Sequence, residues 1–230
     1  MKKWVSWLSR FLVGWWIDSA LIKEIKGLDN FPPDRNFIFA QNHLSYMDLF
    51  IDGYICSPRR FTYIGQVDKL TGIKGFLRDL LYDYAEVIRI NRNDKNSKKK
   101  AVDKAIAMLK QGYTLIIYPE GTRSRDGKLH NFKPGAAKIH LESGIPILPV
   151  GVKGTYELMP PGKGLQIKKI VSINIGKPLD FTKEREQAKN LDKNSSEYYT
   201  LCDNITCQIE TSIRNLLAET QKTQNAKIKV

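Results

Sequence analysis

The chain has 230 residues, which is enough for one packed domain and short for two. Its 37 Lys and Arg residues exceed its 24 Asp and Glu residues and leave a formal net charge of +13, which favours anionic partners such as nucleic acid, a lipid surface or a phosphorylated substrate. The three cysteines, Cys56, Cys202 and Cys207, include no C-x-x-C pair, which argues against a disulfide framework or a zinc cluster and indicates a reducing compartment.

The first predicted element is an amphipathic helix near the N-terminus. Helical spacing places one apolar stripe on it, preceded by Lys2 and Lys3, and the stripe consists of Trp4, Trp7, Leu8, Phe11, Leu12 and Trp15. Tryptophan favours the headgroup boundary of a bilayer and lysine favours anionic lipid, so we predict a helix lying in the plane of a membrane surface. One alternative is that the stripe packs on the domain itself. Another is a signal peptide, which is disfavoured because Arg10 would interrupt its apolar region.

Beyond Pro32 and Pro33 the chain alternates predicted strands with predicted helices. The predicted strands cover residues 37–41, 60–65, 86–90, 114–118, 147–152 and 168–175. The predicted helices cover residues 45–55, 97–111, 134–143 and 196–219. Alternation with nearly continuous apolar strands predicts an α/β fold with a mostly parallel central sheet flanked by helices. We expect a membrane-associating segment over 1–30, one catalytic domain over 31–220 and a disordered tail over 221–230.

Two short segments that follow predicted strands carry the candidate chemistry. The first, Asn-His-Leu-Ser-Tyr-Met-Asp at 42–48, sets His43 five residues before Asp48. The second, Tyr-Pro-Glu-Gly-Thr-Arg-Ser at 118–124, is a glycine-centred turn with an acid and an arginine. In this order, about 75 residues apart, they resemble the glycerolipid acyltransferase family, whose best-known members acylate 1-acylglycerol-3-phosphate to phosphatidic acid. The resemblance covers about residues 30–180 and includes the later blocks 125–127, 132–135 and 144–150.

The reaction that this resemblance implies requires a general base. A thioester carbonyl is already activated, and no G-x-S-x-G serine elbow occurs, so a hydroxyl deprotonated as it attacks takes the acyl group directly. Histidine is the natural base near pH 7, and a carboxylate on its second ring nitrogen fixes the tautomer. We therefore predict His43 and Asp48 as the catalytic pair. Five residues of continuous helix turn through about 500°, so His43 must precede the helix and Asp48 must lie in its first turn.

Two other interpretations of these residues stay open. Ser45 to Asp48 forms an S-x-x-D pattern typical of a helix N-terminus, so Asp48 also fits a capping role, with His43 a structural loop residue. Histidine and aspartate also bind zinc, but the other two histidines, His130 and His140, lack ligand-like spacing. We predict no metal site and a structural role for His140. No cofactor is predicted, because acyl-CoA or acyl carrier protein enters as the donor substrate.

The glycine-centred turn is the predicted substrate-binding element. Glycine lets the backbone approach a ligand closely, and arginine offers a planar fork that matches phosphate oxygens, so Glu120, Gly121, Thr122 and Arg123 are predicted to contact substrate. In isolation the same residues also fit a β-turn with a solvated arginine.

A second phosphate-binding arginine follows from the resemblance alone. The family usually carries an arginine at the end of the strand predicted over 86–90, often after an aspartate, and this residue is thought to hold the glycerol phosphate with the arginine of the turn. Here Asn91 stands at the aspartate position. Arg92 is favoured by the alignment of the following polar stretch, and Arg89 is the alternative.

The resemblance implies an O-acyltransferase of phospholipid biosynthesis that moves a fatty acyl group from a thioester donor onto 1-acylglycerol-3-phosphate. Alternative acceptors are another lysophospholipid, glycerol 3-phosphate or an aminolipid. Rivals from another class are a non-catalytic lipid-binding module and a basic nucleic-acid-binding protein, but no nucleic-acid-binding motif appears and no such partner is expected. Expected partners are the lysophospholipid acceptor, the thioester donor and an anionic membrane surface, with a peripheral or monotopic location on the cytoplasmic face.

Overall fold

The structure is a computed structural model that describes residues 14–66, 72–84, 86–91 and 93–228. Its strands are β1 (Ile22–Lys26), β2 (Ile38–Gln41), β3 (Phe61–Gln66), β4 (Ile88–Ile90), β5 (Thr114–Ile117), β6 (Ile147–Lys153) and β7 (Val171–Ile175). Its helices are α1 (Trp15–Ala20), α2 (Met47–Cys56), α3 (Gly72–Tyr84), α4 (Lys95–Lys110), α5 (Gly135–Ser143), α6 (Thr155–Leu158), α7 (Thr182–Ala188) and α8 (Ser196–Ile228). A short 3-10 helix covers Leu28–Asn30.

These strands form one sheet in the order β1-β7-β6-β2-β5-β3-β4. Each neighbouring pair is parallel except β6 and β7, which are antiparallel. The predicted α/β class with a mostly parallel sheet flanked by helices is therefore confirmed. Strands β2 and β5 lie side by side, with Ala40 opposite Ile117, so their carboxyl ends meet at one edge of the sheet.

Both faces of the sheet are buried, as the nearly continuous apolar strands require. Ile38 and Ala40 of β2 face a core shared with α4, α5 and α8. Phe37 and Phe39 alternate with them and face a second core shared with α1 and α2. All four side chains are fully buried, and burial of each large one contributes roughly 1.5–3 kcal/mol, so the centre of the sheet is a rigid base for the loops at its edge.

The strands and helices predicted between residues 37 and 219 are all present, and apart from the end of α8 their ends lie within three residues of the predicted ones. The sequence patterns did not indicate β1, α3, α6 or α7. β1 interleaves its apolar residues with Lys and Glu, as an edge strand does, so no apolar run marks it. α3 begins with Gly72 and contains Gly75, and glycine disfavours helices, so its propensity is low although the helix forms.

The chain ends differ from the predicted domain boundaries. Residues 1–13, with most of the tryptophan stripe, lie outside the described residues. Ile17, Leu21 and Ile22 are buried in the core, and β1 pairs with β7, so residues 15–26 belong to the folded domain rather than to a separate segment 1–30. Trp15 is 73% exposed, whereas Trp16 packs partly against that core.

At the other end, α8 continues to Ile228, past the predicted end at Glu219 and into the segment 221–230 that was predicted to be a disordered tail. The helix is anchored by Ile205, Ile209 and Ile213, which recur every four residues and are buried. Once such a helix is nucleated, each further residue adds a hydrogen bond at little cost, so a polar sequence continues it.

Candidate active site

His43 lies in the loop between β2 and α2, at the carboxyl edge of the sheet. Its Nδ1 atom is 2.8 Å from Oδ2 of Asp48, which lies in the first turn of α2. The Asp48 side chain is fully buried, and the His43 side chain is 12% exposed. The structure therefore brings the two predicted catalytic residues together in the order that the helix geometry required.

Asp48 also organises the start of α2. Its Oδ2 atom accepts the backbone N–H groups of Leu44 at 2.7 Å and Ser45 at 2.8 Å, and the hydroxyl of Ser45 accepts the N–H of Met47 at 3.2 Å. This exchange is a capping arrangement, as the S-x-x-D pattern indicated. Capping and contact with His43 are thus not alternatives here, because one carboxylate oxygen does both.

The tautomer of His43 follows from this contact. A carboxylate only accepts hydrogen bonds, so Nδ1 carries the proton and Nε2 is left with a lone pair. Among the described residues, Nε2 of His43 has no hydrogen-bond partner. A neutral imidazole held at Nδ1 and open at Nε2 is the arrangement that a general base needs.

The glycine-centred turn is joined to the His43 loop through the backbone. The N–H of Ser124 donates to the carbonyl of His43 at 2.8 Å, and the N–H of His43 points to Oε2 of Glu120 at 3.3 Å. The turn itself closes through the N–H of Gly121, which donates to the carbonyl of Tyr118 at 2.9 Å. Two motifs separated along the chain thus form one edge site, because their strands, β2 and β5, are neighbours.

Glu120 is directed into the protein. It is 3% exposed, and its second oxygen, Oε1, accepts the backbone N–H of His130 at 3.4 Å. Burial raises the pKa of the Glu120 carboxyl to about 7, although the backbone N–H groups of His130 and His43 oppose the shift. Glu120 therefore supports the loop of His43 in this structure, and its predicted contact with substrate stays a prediction.

Arg123 and Thr122 lie on the outer side of the turn. The guanidinium carbon of Arg123 is 3.4 Å from the centre of the exposed Tyr46 ring, a cation–π contact that holds the arginine beside α2. Thr122 is exposed. Gly121 has φ +75°, a conformation that favours glycine, and a Cβ atom there would lie 2.9 Å from the Nζ atom of Lys133. Glycine is therefore needed for the conformation of the turn.

The second predicted arginine, Arg92, lies outside the described residues. The alternative, Arg89, is exposed on β4 and bonded to α3, with its Nη2 atom 2.9 Å from Asp83 Oδ1 and 3.8 Å from Asp79 Oδ1. A cavity of about 260 Å³ lies beside it, also lined by Lys100 and Lys104. Two carboxylates therefore already engage the guanidinium of Arg89.

Two residues at the site were not indicated by the sequence patterns. The ring of Tyr118 stacks on the imidazole of His43, with 3.8 Å between ring centres and 10° between planes. The hydroxyl of Tyr118 donates to Oδ2 of Asp52 at 2.6 Å. Tyr118 could have been recognised from the sequence by its position at the start of the glycine-centred turn, directly before Pro119 and Glu120. Asp52 had no such mark in the sequence, except that it lies four residues after Asp48.

The remaining histidines occupy different settings. His140 is buried, with Nδ1 2.8 Å from the carbonyl of Ile145 and Nε2 accepting the N–H of Phe181 at 3.3 Å. Burial lowers the pKa of His140, in keeping with a neutral structural ring. His130 is exposed and lies 3.0 Å from Asp126. Within the described part of the chain, no three His, Cys, Asp or Glu residues cluster as metal ligands would.

In the same residues, no helix combines the length and apolar character needed to cross a bilayer.

Comparisons with known proteins show the family to which the chain is similar. A family model described as Acyltransferase matches residues 23–153, a range that contains both motifs. A 1-acyl-sn-glycerol-3-phosphate acyltransferase of Chlamydomonas reinhardtii is 32% identical over 166 residues, which are 71% of this chain and 48% of that protein. The chloroplastic 1-acyl-sn-glycerol-3-phosphate acyltransferase BAT2 of Brassica napus is 30% identical over 162 residues, 68% of this chain and 44% of that protein.

A solved structure is similar over nearly the whole chain. The crystal structure of the 1-acyl-sn-glycerophosphate (LPA) acyltransferase PlsC from Thermotoga maritima aligns with a TM-score of 0.67 and 27% identity, covering 95% of this chain and 79% of that one. The chain spans about half the length of the curated relatives that it matches.

Proposed function

This chain belongs to the acyltransferase family, and on that premise we propose that it transfers a fatty acyl group from a thioester donor to the free hydroxyl of 1-acylglycerol-3-phosphate. The observation that carries the proposal is the hydrogen bond between His43 and Asp48, next to a glycine turn that presents a cation. Relatives named 1-acyl-sn-glycerol-3-phosphate acyltransferase at about 30% identity support the choice of acceptor.

The proposed chemistry uses His43 as the general base. Its Nε2 atom removes the proton of the acceptor hydroxyl while the oxygen attacks the thioester carbonyl carbon. The tetrahedral intermediate collapses with cleavage of the carbon–sulfur bond, and the imidazolium returns the proton to the departing thiolate. The products are an ester and a free thiol. Asp48 keeps the imidazole in the required tautomer and stabilises the imidazolium that forms between the two steps.

The acceptor phosphate is proposed to bind on the outer side of the glycine turn. Arg123, held over the ring of Tyr46, presents a planar guanidinium there, and Lys133 brings a second cation to Gly121. Two cations at one turn suit a phosphate monoester, which carries close to two negative charges. Arg92 stays a predicted third contact, and no cofactor is assigned to the reaction.

A membrane surface is proposed as the working location, on the cytoplasmic side. The net charge of +13 favours anionic lipid. Beside the site, Tyr46, directly before α2, and Phe50 on α2 are exposed large apolar side chains. Ile73, Phe76 and Leu80 on α3 are exposed as well. Exposed apolar side chains near a site for a lysolipid acceptor are expected where a substrate arrives from a bilayer.

The direct test is to incubate the purified protein with acyl-CoA or acyl carrier protein donors and a panel of acceptors. The panel contains 1-acylglycerol-3-phosphate, other lysophospholipids, glycerol 3-phosphate and an aminolipid, with thiol release and products followed by mass spectrometry. We expect the protein to release thiol and form phosphatidic acid in equal amounts, and we expect His43→Gln to abolish both products. His130→Gln is the matched control, because His130 also contacts an aspartate but lies on an exposed loop, and it is expected to keep the activity. Release of free fatty acid without ester, or transfer that survives in His43→Gln, contradicts the proposal.

A further inference from the structure

Asp52 is a buried carboxyl group that the proposed reaction does not use. It lies one helical turn after Asp48 on α2 and is fully buried, with Cys56 a further turn along the same face. A carboxyl group in such a position is costly unless it is neutral or well paired, so its presence calls for a role.

The contacts of Asp52 lead to His43 through one residue. The hydroxyl of Tyr118 donates to Oδ2 of Asp52 at 2.6 Å, and Nε2 of Gln41 donates to the same oxygen at 3.2 Å. The ring of Tyr118 in turn lies parallel to the imidazole of His43, with 3.8 Å between centres. Because Gln41 ends β2 and Tyr118 follows β5, Asp52 ties the two strand ends that carry the motifs to α2.

We propose that Asp52 and Tyr118 are positioning residues for the general base: Asp52 fixes the phenol, and the phenol ring fixes the plane of the His43 imidazole. The hydrogen bond to Asp48 holds one atom of the imidazole but leaves rotation about that bond, and a parallel ring against one face removes this freedom. The ring face also attracts the imidazolium that forms during turnover, which favours proton uptake.

Asp52 performs this role as a neutral acid. Burial, and after it the negative charge of Asp48, raises the pKa of Asp52 well above its usual value, while hydrogen bonds from Tyr118 and Gln41 oppose the shift. The other titratable groups that bear on Asp52 are Cys56 on α2 and Tyr63 on β3.

Unsatisfied acceptors at the same place support the neutral form. Among the buried side-chain oxygens of the described residues that have no hydrogen-bond partner, three belong to this group of residues, namely Gln41 Oε1, Asp48 Oδ1 and Asp52 Oδ1. Leaving a buried acceptor without a partner is unfavourable. A proton on Asp52 converts one of these acceptors into a donor, which an ionised Asp52 does not supply.

The inference rests on the proposed function only for its kinetic readout. Tyr118→Leu removes the ring, and we expect at least about a tenfold loss in kcat with KM changed by less than about twofold, because a misplaced base slows chemistry and not binding. Asp52→Ala releases the phenol and gives a loss of the same kind. Asp52→Asn keeps a neutral side chain with an acceptor for Tyr118, and it restores most of the kcat lost in Asp52→Ala.

A matched control separates positioning from stability. Leu109→Ala creates a cavity in the core on the opposite face of the sheet. It is expected to lower the free energy of unfolding as much as Tyr118→Leu does, while kcat is unchanged. If Leu109→Ala loses kcat equally, or if Asp52→Asn is as inactive as Asp52→Ala, the positioning role is refuted. If Tyr118→Leu does not unfold cooperatively, the comparison of kcat between Asp52→Ala and Asp52→Asn tests the positioning role instead.

Nuclear magnetic resonance of the histidine rings tests the inference without any acyl donor. The chain has three histidines, so ¹⁵N-histidine labelling with His43→Gln as the assignment variant isolates the His43 signals. In the unmodified protein we expect a single tautomer with the proton on Nδ1. In Tyr118→Leu we expect the proton to stay on Nδ1, because Asp48 is unchanged, and the ring ¹⁵N signals to broaden, because the plane of the imidazole is no longer fixed. Ring signals equally sharp in both proteins overturn the proposal, whereas absent acyl transfer together with this broadening refutes the proposed function alone.

Discussion

Glu120 is a buried carboxyl group of the site whose ionisation is expected to lower the stability of the folded protein. The carboxyl is 3% exposed, and burial raises its pKa from 4.5 to about 7. The folded state therefore binds the Glu120 proton more tightly than the unfolded state does. Its contribution is fully favourable below pH 4.5, where both states are protonated, and is lost as pH rises from 4.5 to about 7. We expect Glu120→Gln, which does not ionise, to remove this loss.

The size of the effect follows from the shift. The difference between 4.5 and about 7 corresponds to an upper limit of about 3 kcal/mol, reached above pH 7.5. By the same relation, Glu120→Gln gains roughly 1 kcal/mol over the unmodified protein as pH rises from 4 to 5.5. If Glu120→Gln also changes the hydrogen bonds to the backbone of His43 and His130, this change shifts the free energy of unfolding of the variant by the same amount at every pH.

Urea unfolding of both proteins at intervals between pH 4 and pH 8.5 measures this difference. Glu197→Gln, an exposed carboxyl on α8, reports the effect of removing one negative charge from the chain and is subtracted. The difference between Glu120→Gln and the unmodified protein should grow with pH in favour of the variant and level off above about pH 7.5. A difference independent of pH, or one that falls as pH rises, would show that the Glu120 carboxyl is not desolvated in the folded protein.

The other predictions concern turnover and membrane binding. His43→Ala and Asp48→Asn should each lower kcat by about 10²–10⁴-fold. Because the two residues act as a unit, the double variant should be little slower than either single variant. Losses that multiply in the double variant, measured in steady-state assays, would show independent roles. Arg123→Ala should lower kcat/KM for the lysophospholipid at least about tenfold and leave donor KM unchanged, since a charge-assisted bond contributes roughly 1.5–3 kcal/mol; an equal rise in donor KM would contradict phosphate binding. Deletion of residues 1–13 should abolish sedimentation with anionic liposomes while cooperative unfolding persists, whereas deletion of residues 1–20 should also destabilise the domain because Ile17 is buried.

Sequence patterns predicted the elements with the strongest periodicity. The apolar runs of β2 and β5 and the buried stripe of α8 indicate their own structures, since burial on both faces or along one stripe leaves a regular trace. β1 and α3 left no such trace, because β1 is an edge strand with charged residues and α3 contains glycines that oppose helix formation. Their structure depends on packing against neighbours that are distant in the chain.

The proposed catalytic pair could be predicted from local sequence because its geometry is local. His43 and Asp48 are five residues apart, and one helix start brings them within 2.8 Å. The support around the pair comes from distant parts of the chain. Tyr118 stacks on His43, and Glu120 contacts its backbone N–H, because β2 and β5 are adjacent in the sheet.

The amino-acid sequence alone indicated six of the seven described strands, four of the eight described helices, the α/β class, the proximity of His43 and Asp48, and the excess of positive charge. Each of these depends on residue type and short-range spacing, which act before the chain is folded. The tertiary structure decided that Glu120 faces inward with a raised pKa, that Arg89 is bonded to Asp83, and that Asp52 supports Tyr118. Burial and strand order set these features, and both exist only once distant segments have packed together.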